Sequence, residues 1–232
     1  MSESAAVQKP PSQGIITTLL SWTGRVISAL MVSLCFSLAA EWVGIAFFWP
    51  GLGAQHSHMM MRKELGWFAQ NVQQSLLSAD PVGQLEHCLQ LTWQWLFVNT
   101  KVVEWLASLR IKPSGEIVRS AAVYGEAAIY ITLTFVLRVF ILLLTAPLFL
   151  LAAITGVIDG LVRRDIRRFG CGYESGFVYH RAKRMVLPVF FLAWVIYLSL
   201  PFSIPPWVVL LPAAFLFGIT VSITVGTFKK YI

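Results

Sequence analysis

Charged side chains are scarce in this chain. Only 12% of its 232 residues are Asp, Glu, Lys or Arg, about half the share of an ordinary soluble domain. Cysteine is scarce too. Cys35, Cys88 and Cys171 form an odd, scattered set, with Cys35 in an apolar run and the other two expected on opposite sides of a membrane. No intramolecular disulfide framework is implied. The signatures of common chemistry are also missing: there is no G-x-x-x-x-G-K-[ST] phosphate loop, no G-x-S-x-G elbow and no H-E-x-x-H zinc motif. An ATPase or hydrolase made by this chain alone is therefore not expected. The period-two alternation of an outer-membrane barrel is absent as well, because the apolar runs are continuous.

What is present is hydrocarbon. Hydrophobic residues make up 57% of the chain, and the mean hydropathy is +0.71. Several runs reach the roughly 20 residues that a helix needs to cross about 30 Å of lipid. The expected class is all-α: a polytopic membrane protein with four transmembrane helices, a helical periplasmic cap and a basic cytoplasmic helical hairpin.

Residues 1–25 read as a cytoplasmic tail, rich in Ser, Pro and Gln, followed by an interfacial approach segment at 15–24. The apolar run after Arg25 is too long for a signal-peptide core, so an uncleaved start is expected. Residues 26–49 form the first span, which Trp49-Pro50-Gly51 closes with an interface anchor and two breakers.

Residues 50–120 are the cap. Met61, Leu65, Phe68, Val72 and Leu76 recur at helical spacing, and Asp80-Pro81 should cap a second helix striped by Leu85, Leu89, Trp93 and Leu96. Trp67, Trp93, Trp95 and Trp105 suit a layer lying against headgroups. After the break at Pro113-Ser114-Gly115, one helix is predicted over 116–169, crossing lipid at about 131–157 within a second span drawn at 121–158. Residues 159–184 are a basic loop with a helical hairpin. A third span, short and broken by Pro188, covers 185–200. A turn occupies 201–206, a fourth span 207–228 and a short tail 229–232.

This arrangement puts Lys9, Arg25, the basic loop, Lys229 and Lys230 on one side. Lys and Arg gather on cytoplasmic loops, so both termini are expected in the cytoplasm of a bacterial inner membrane. The net charge of +7 then needs no nucleic acid to explain it.

Two charges fall inside apolar runs, Glu41 and Arg138. Intramembrane ionisable groups face a partner, and counting from the helix ends places both at similar depth. An ion pair between Glu41 and Arg138 is the structural expectation, and a proton or ion pathway the functional alternative. His56-Ser57-His58 precedes Met59, Met60 and Met61, donors that suit copper, although the same methionines fit ordinary helix packing. No cofactor is expected.

The loop at 159–184 carries Arg163, Arg164, Arg167, Arg168, Arg181, Lys183 and Arg184 against Asp159, Asp165 and Glu174. The first four arginines form one stripe on the last turns of a helix, where cations complement its dipole. Gly170 should end that helix from a C′ position and Ser175 should cap the next, which runs through Tyr179 and His180. Anionic phospholipid headgroups are the first partner for such a surface, an acidic protein the second and nucleic-acid phosphate the third. Gly156 and Gly160 form a G-x-x-x-G pair suited to close helix packing.

The loop resembles the signature of a family of bacterial inner-membrane proteins encoded by integrating conjugative elements. The matching residues run from Asp159-Gly160-Leu161-Val162-Arg163-Arg164-Asp165 through Arg167-Arg168-Phe169-Gly170. They continue with Gly172, Glu174-Ser175 and Phe177-Val178-Tyr179-His180-Arg181-Ala182-Lys183. A weaker likeness covers Trp49-Pro50 through His56-Ser57 and Glu64-Leu65. Cys171 and Tyr173 depart from the Gly and Arg of that pattern. The resemblance implies an accessory subunit of a conjugative DNA-transfer system working with a type IV secretion apparatus, with the coupling ATPase or other secretion subunits as partners. It carries over no catalytic residue. The competing reading is a small transporter, channel or periplasmic metal-handling protein using His56, His58, Glu41 and Arg138.

Overall fold

The computed structural model describes residues 15–73, 80–111, 115–170 and 176–228, and every regular element among them is helical. The tail at 1–14, Cys171, the Ser175 cap and Lys229-Lys230 lie outside the described residues. The order is α1 (Ile15–Phe47), α2 (Ala54–Gln73), α3 (Pro81–Thr92) with a π turn at Trp93–Val98, α4 (Val102–Ile111), α5 (Glu116–Phe169), α6 (Gly176–Ser199) and α7 (Pro206–Gly226). Among the described residues four stretches are long and apolar enough to cross a membrane: Leu20–Phe48, Val118–Phe169, Tyr179–Ser199 and Pro206–Gly226.

Several local signals act as the residues dictate. The Asp80 carboxylate accepts from the Gly83 N–H at 3.1 Å with Pro81 at the first helical position, so α3 begins with one of its orphan donors satisfied. Gly53 enters α2 at φ +50°, a left-handed conformation that costs glycine nothing. The interfacial segment expected at 15–24 is instead continuous with the first span, because nothing between Gly24 and Val26 breaks a helix. Pro188 does not shorten α6, which runs for 24 residues through it. A proline in an apolar helix loses one backbone bond without ending the helix when neighbours stabilise it. Gly170 ends α5 as its C-cap at φ −91°, donating its N–H to the Ile166 carbonyl, and so does not take up the left-handed C′ geometry.

The 54-residue α5 is the mast of the fold, about 81 Å long at 1.5 Å per residue. Its first half carries the small helices α2, α3 and α4, and its second half lies against α7. Contacts fix the directions. His58 meets Tyr130, Glu64 meets Arg138 and Phe68 meets Phe140, so α2 runs parallel to α5. Pro206 lies level with Ile141, Gly218 with Ala152 and Gly226 with Gly160, so α7 also runs parallel to α5. Trp22 packs on Phe191 and Ser33 receives Ser199, so α1 and α6 are parallel.

The α5 segment that α7 accompanies starts near Ile141, later than the 131–157 crossing read from the sequence. Hydropathy shows how far α5 is apolar, but not where its neighbour begins.

Candidate functional site

Two polar clusters bracket the apolar bundle, and α5 contributes Arg138 to one and Arg163 and Arg167 to the other. At the first, Arg138 is 2% exposed and Glu64 6%. Arg138 Nη2 lies 2.5 Å from Glu64 Oε1, and Nε lies 3.2 and 3.1 Å from the two carboxylate oxygens. The other donors reach the end of α6 and the turn after it: Nη1 lies 3.5 and 3.4 Å from the Tyr197 and Leu198 carbonyls in the last turn and donates to that of Leu200 at 2.5 Å, and Nη2 donates to that of Phe202 at 3.0 Å. The last carbonyls of a helix have no intrahelical partner and carry its negative dipole end. Arg138 therefore neutralises Glu64 and caps α6 with one guanidinium. Burial pushes the Glu64 carboxyl above its ordinary range, while the Arg138 guanidinium pulls it back.

Glu41 and Arg138 are not brought together, contrary to the sequence reading. Glu41 is fully buried on α1, and its Oε1 accepts from Ser57 Oγ at 2.6 Å and pairs with His56 Nδ1 at 2.9 Å. The depths differ: Ser33, not Glu41, lies level with the end of α6 that Arg138 reaches, and Glu41 is about 12 Å further along α1 at 1.5 Å per residue. There α2 offers it His56 and Ser57, and two turns further on α2 offers Glu64 to Arg138. His56 is stacked on Trp49 at 4.1 Å, and His58 packs against Tyr130. Among the described residues no group of three or more His, Cys, Asp or Glu is placed to hold a metal ion. The residues that carry the weaker resemblance thus fall in two polar groups on α2: His56 and Ser57, with Trp49, tie it to Glu41 of α1, and Glu64 ties it to Arg138 of α5.

The second cluster lies where α5 and α7 end. A Cβ added at Gly156 would meet the Gly218 carbonyl oxygen at 2.5 Å, and one at Gly160 would meet the Ser222 oxygen at 2.7 Å. Only glycine allows this approach. Beside it, Ser222 Oγ donates to Asp159 Oδ2 at 2.5 Å, and Arg163 Nε contacts the same oxygen at 2.9 Å. Arg167 donates to the carbonyl of Gly226, the last residue of α7.

The basic stripe accordingly divides in two. Arg163 and Arg167 are bound to Asp159 and α7, and Arg164 stands over the Phe228 ring at 5.9 Å. Tyr179 packs on both Phe228 and His180, with Lys183 Nζ at 5.9 Å from its ring. Arg168, Arg181 and Arg184 are exposed. Nothing in the sequence marks which arginines are free, because that depends on where α7 ends. A groove of about 440 Å³ runs beside the cluster, lined by Thr155, Asp159, Arg163, Phe215, Ile219 and Ser222.

Arg138 and Arg167 are about 44 Å apart along α5 at 1.5 Å per residue, close to the 40–45 Å of a bilayer with its headgroups. The spacing suits two caps at the two faces of one membrane.

A family model described as IncC plasmid conjugative DNA transfer protein DtrJ-like matches residues 48–229. The match takes in α2 through α7 and both arginine clusters. No curated protein and no solved structure matches the chain.

Proposed function

Because the chain belongs to the DtrJ-like family of conjugative DNA transfer proteins, we propose that it is a non-enzymatic inner-membrane subunit of the transfer machinery. Its task in this reading is to hold or stabilise the coupling ATPase, or another membrane subunit of the secretion apparatus, through its helices and its basic end. Positive charge sets the orientation: the α5–α6 connection and both termini face the cytoplasm, and α2, α3 and α4 face the periplasm.

The observation that carries the proposal is the division of the stripe. Arg163 is paired with Asp159 and Arg167 holds the end of α7, which leaves Arg168, Arg181 and Arg184 exposed at the same end of the bundle as a groove between α5 and α7. Such a surface offers charge to an acidic cytoplasmic face and a groove to the same partner's membrane helix. Anionic headgroups are the competing occupant of the three arginines. DNA phosphate would satisfy them electrostatically, but no recognised nucleic-acid-binding fold surrounds them.

The test is a mild-detergent purification of the tagged protein from cells carrying the complete transfer system, read by mass spectrometry. Recovery of the coupling ATPase or another secretion subunit, and its loss when Arg168, Arg181 and Arg184 become Gln, is the expected result. Recovery of the protein alone would argue for a self-contained channel or transporter.

A further inference from the structure

We propose that the groove between α2, α5 and α7 is a binding site for one phospholipid molecule, with the phosphate held by Lys63 and an acyl chain laid along α5. The site lies at the Arg138 end of the bundle, away from the basic surface, and does not rest on the docking reading.

Two cavities there form one channel. The upper, about 130 Å³, is bounded by Lys63, Glu64, Trp67, Tyr197 and Ser203; the lower, about 290 Å³, by Phe68, Leu144, Leu148 and Leu211 among others. They share Trp67, Ile141 and Pro206, so the wall is continuous from a cation to a mostly apolar lining in which Asn71 and Thr145 are the polar residues.

The register sets the depth. The channel starts where α7 begins and descends beside it for about a turn and a half, the direction in which a lipid leads from headgroup to tail. Trp67 and Trp207 flank the descent, and tryptophan concentrates at the level where headgroups meet chains. The exposed ammonium of Lys63 stands at the mouth. Glu64 adds no free charge there, because Arg138 neutralises it at 2.5 Å.

A phospholipid is the ligand class whose chemistry passes from anion to hydrocarbon over this distance.

The experiment is native mass spectrometry of the intact, delipidated protein in detergent, titrated with phosphatidylglycerol. The wild type should take up one molecule ahead of any further lipid. Lys63→Glu should weaken that first uptake about tenfold or more, the loss of one charge-assisted contact. Leu144→Trp, which fills the lower cavity, should abolish it. Leu150→Trp, at an exposed position outside the channel, should match the wild type. Uptake equal in all four proteins would overturn the site. So would uptake insensitive to Lys63→Glu, an exposed change that leaves the fold alone and decides the matter even if Leu144→Trp fails to accumulate.

Discussion

Glu64 and Arg138 stand 74 residues apart in the chain and 2.5 Å apart in space. Both are buried, and the guanidinium that answers Glu64 also donates to the carbonyls of Leu200 and Phe202. One side chain thus ties α2 to α5 and closes α6.

This geometry makes the pair irreversible in sense. Removing either partner of a buried ion pair costs about 3–5 kcal/mol, so Glu64→Ala and Arg138→Ala should each sharply lower the protein's accumulation and thermal stability in detergent. Exchanging the two charges should not rescue them. A glutamate at position 138 would face carbonyl oxygens at the end of α6, where it repels instead of capping. Rescue by Glu64→Arg with Arg138→Glu would contradict this arrangement.

Glu41 belongs to a different unit. A double-mutant cycle of Glu41→Ala with Ser57→Ala should show coupling of roughly 0.5–3 kcal/mol, as residues in one hydrogen-bond network do. The cycle of Glu41→Ala with Arg138→Ala should be additive within about 0.5 kcal/mol. Unfolding midpoints in denaturant would separate the two.

The glycines make a contrast that needs no charge. Gly156→Leu should part α5 from α7, since even a Cβ there would lie 2.5 Å from a backbone oxygen. The loss should exceed the 1–3 kcal/mol typical of overpacking. Gly24→Ala, with nothing within 4 Å of the added carbon, should be neutral or stabilise α1 by up to about 1 kcal/mol. Thermal unfolding of both variants is the check.

Within the basic stripe, neighbours should behave differently. Arg167→Gln removes the cap on the Gly226 carbonyl and should lower stability. Arg168→Gln touches only an exposed side chain and should leave stability within about 0.5 kcal/mol. Equal destabilisation by the two would mean that the helix end does not need Arg167.

The pattern of what was legible follows from these contacts. Breakers and caps are local, so the sequence shows where α5 runs, where α3 starts and how many apolar helices there are. The partner of Arg138 is not local. It depends on the parallel register of α2 against α5, which aligns Glu64, not Glu41, with that arginine. Glu64 was visible only as part of a family-like stretch, its i+7 and i+8 spacing from Ser57 and His56 giving no hint that the two groups serve different helices. The free and the bound arginines of the stripe look alike for the same reason, since the end of α7 decides which carbonyl and which ring they meet.

In the proposed function the exposed bases at the foot of α5 and α6 serve DNA transfer. The most direct measurement is conjugation frequency in cells whose protein carries Arg168→Gln, Arg181→Gln and Arg184→Gln, at matched membrane levels. Losing about 1.4 kcal/mol of docking is a tenfold weaker complex, so transfer should fall by about tenfold or more while the protein stays folded in the membrane. Transfer at the wild-type frequency would mean that these bases take no part in it.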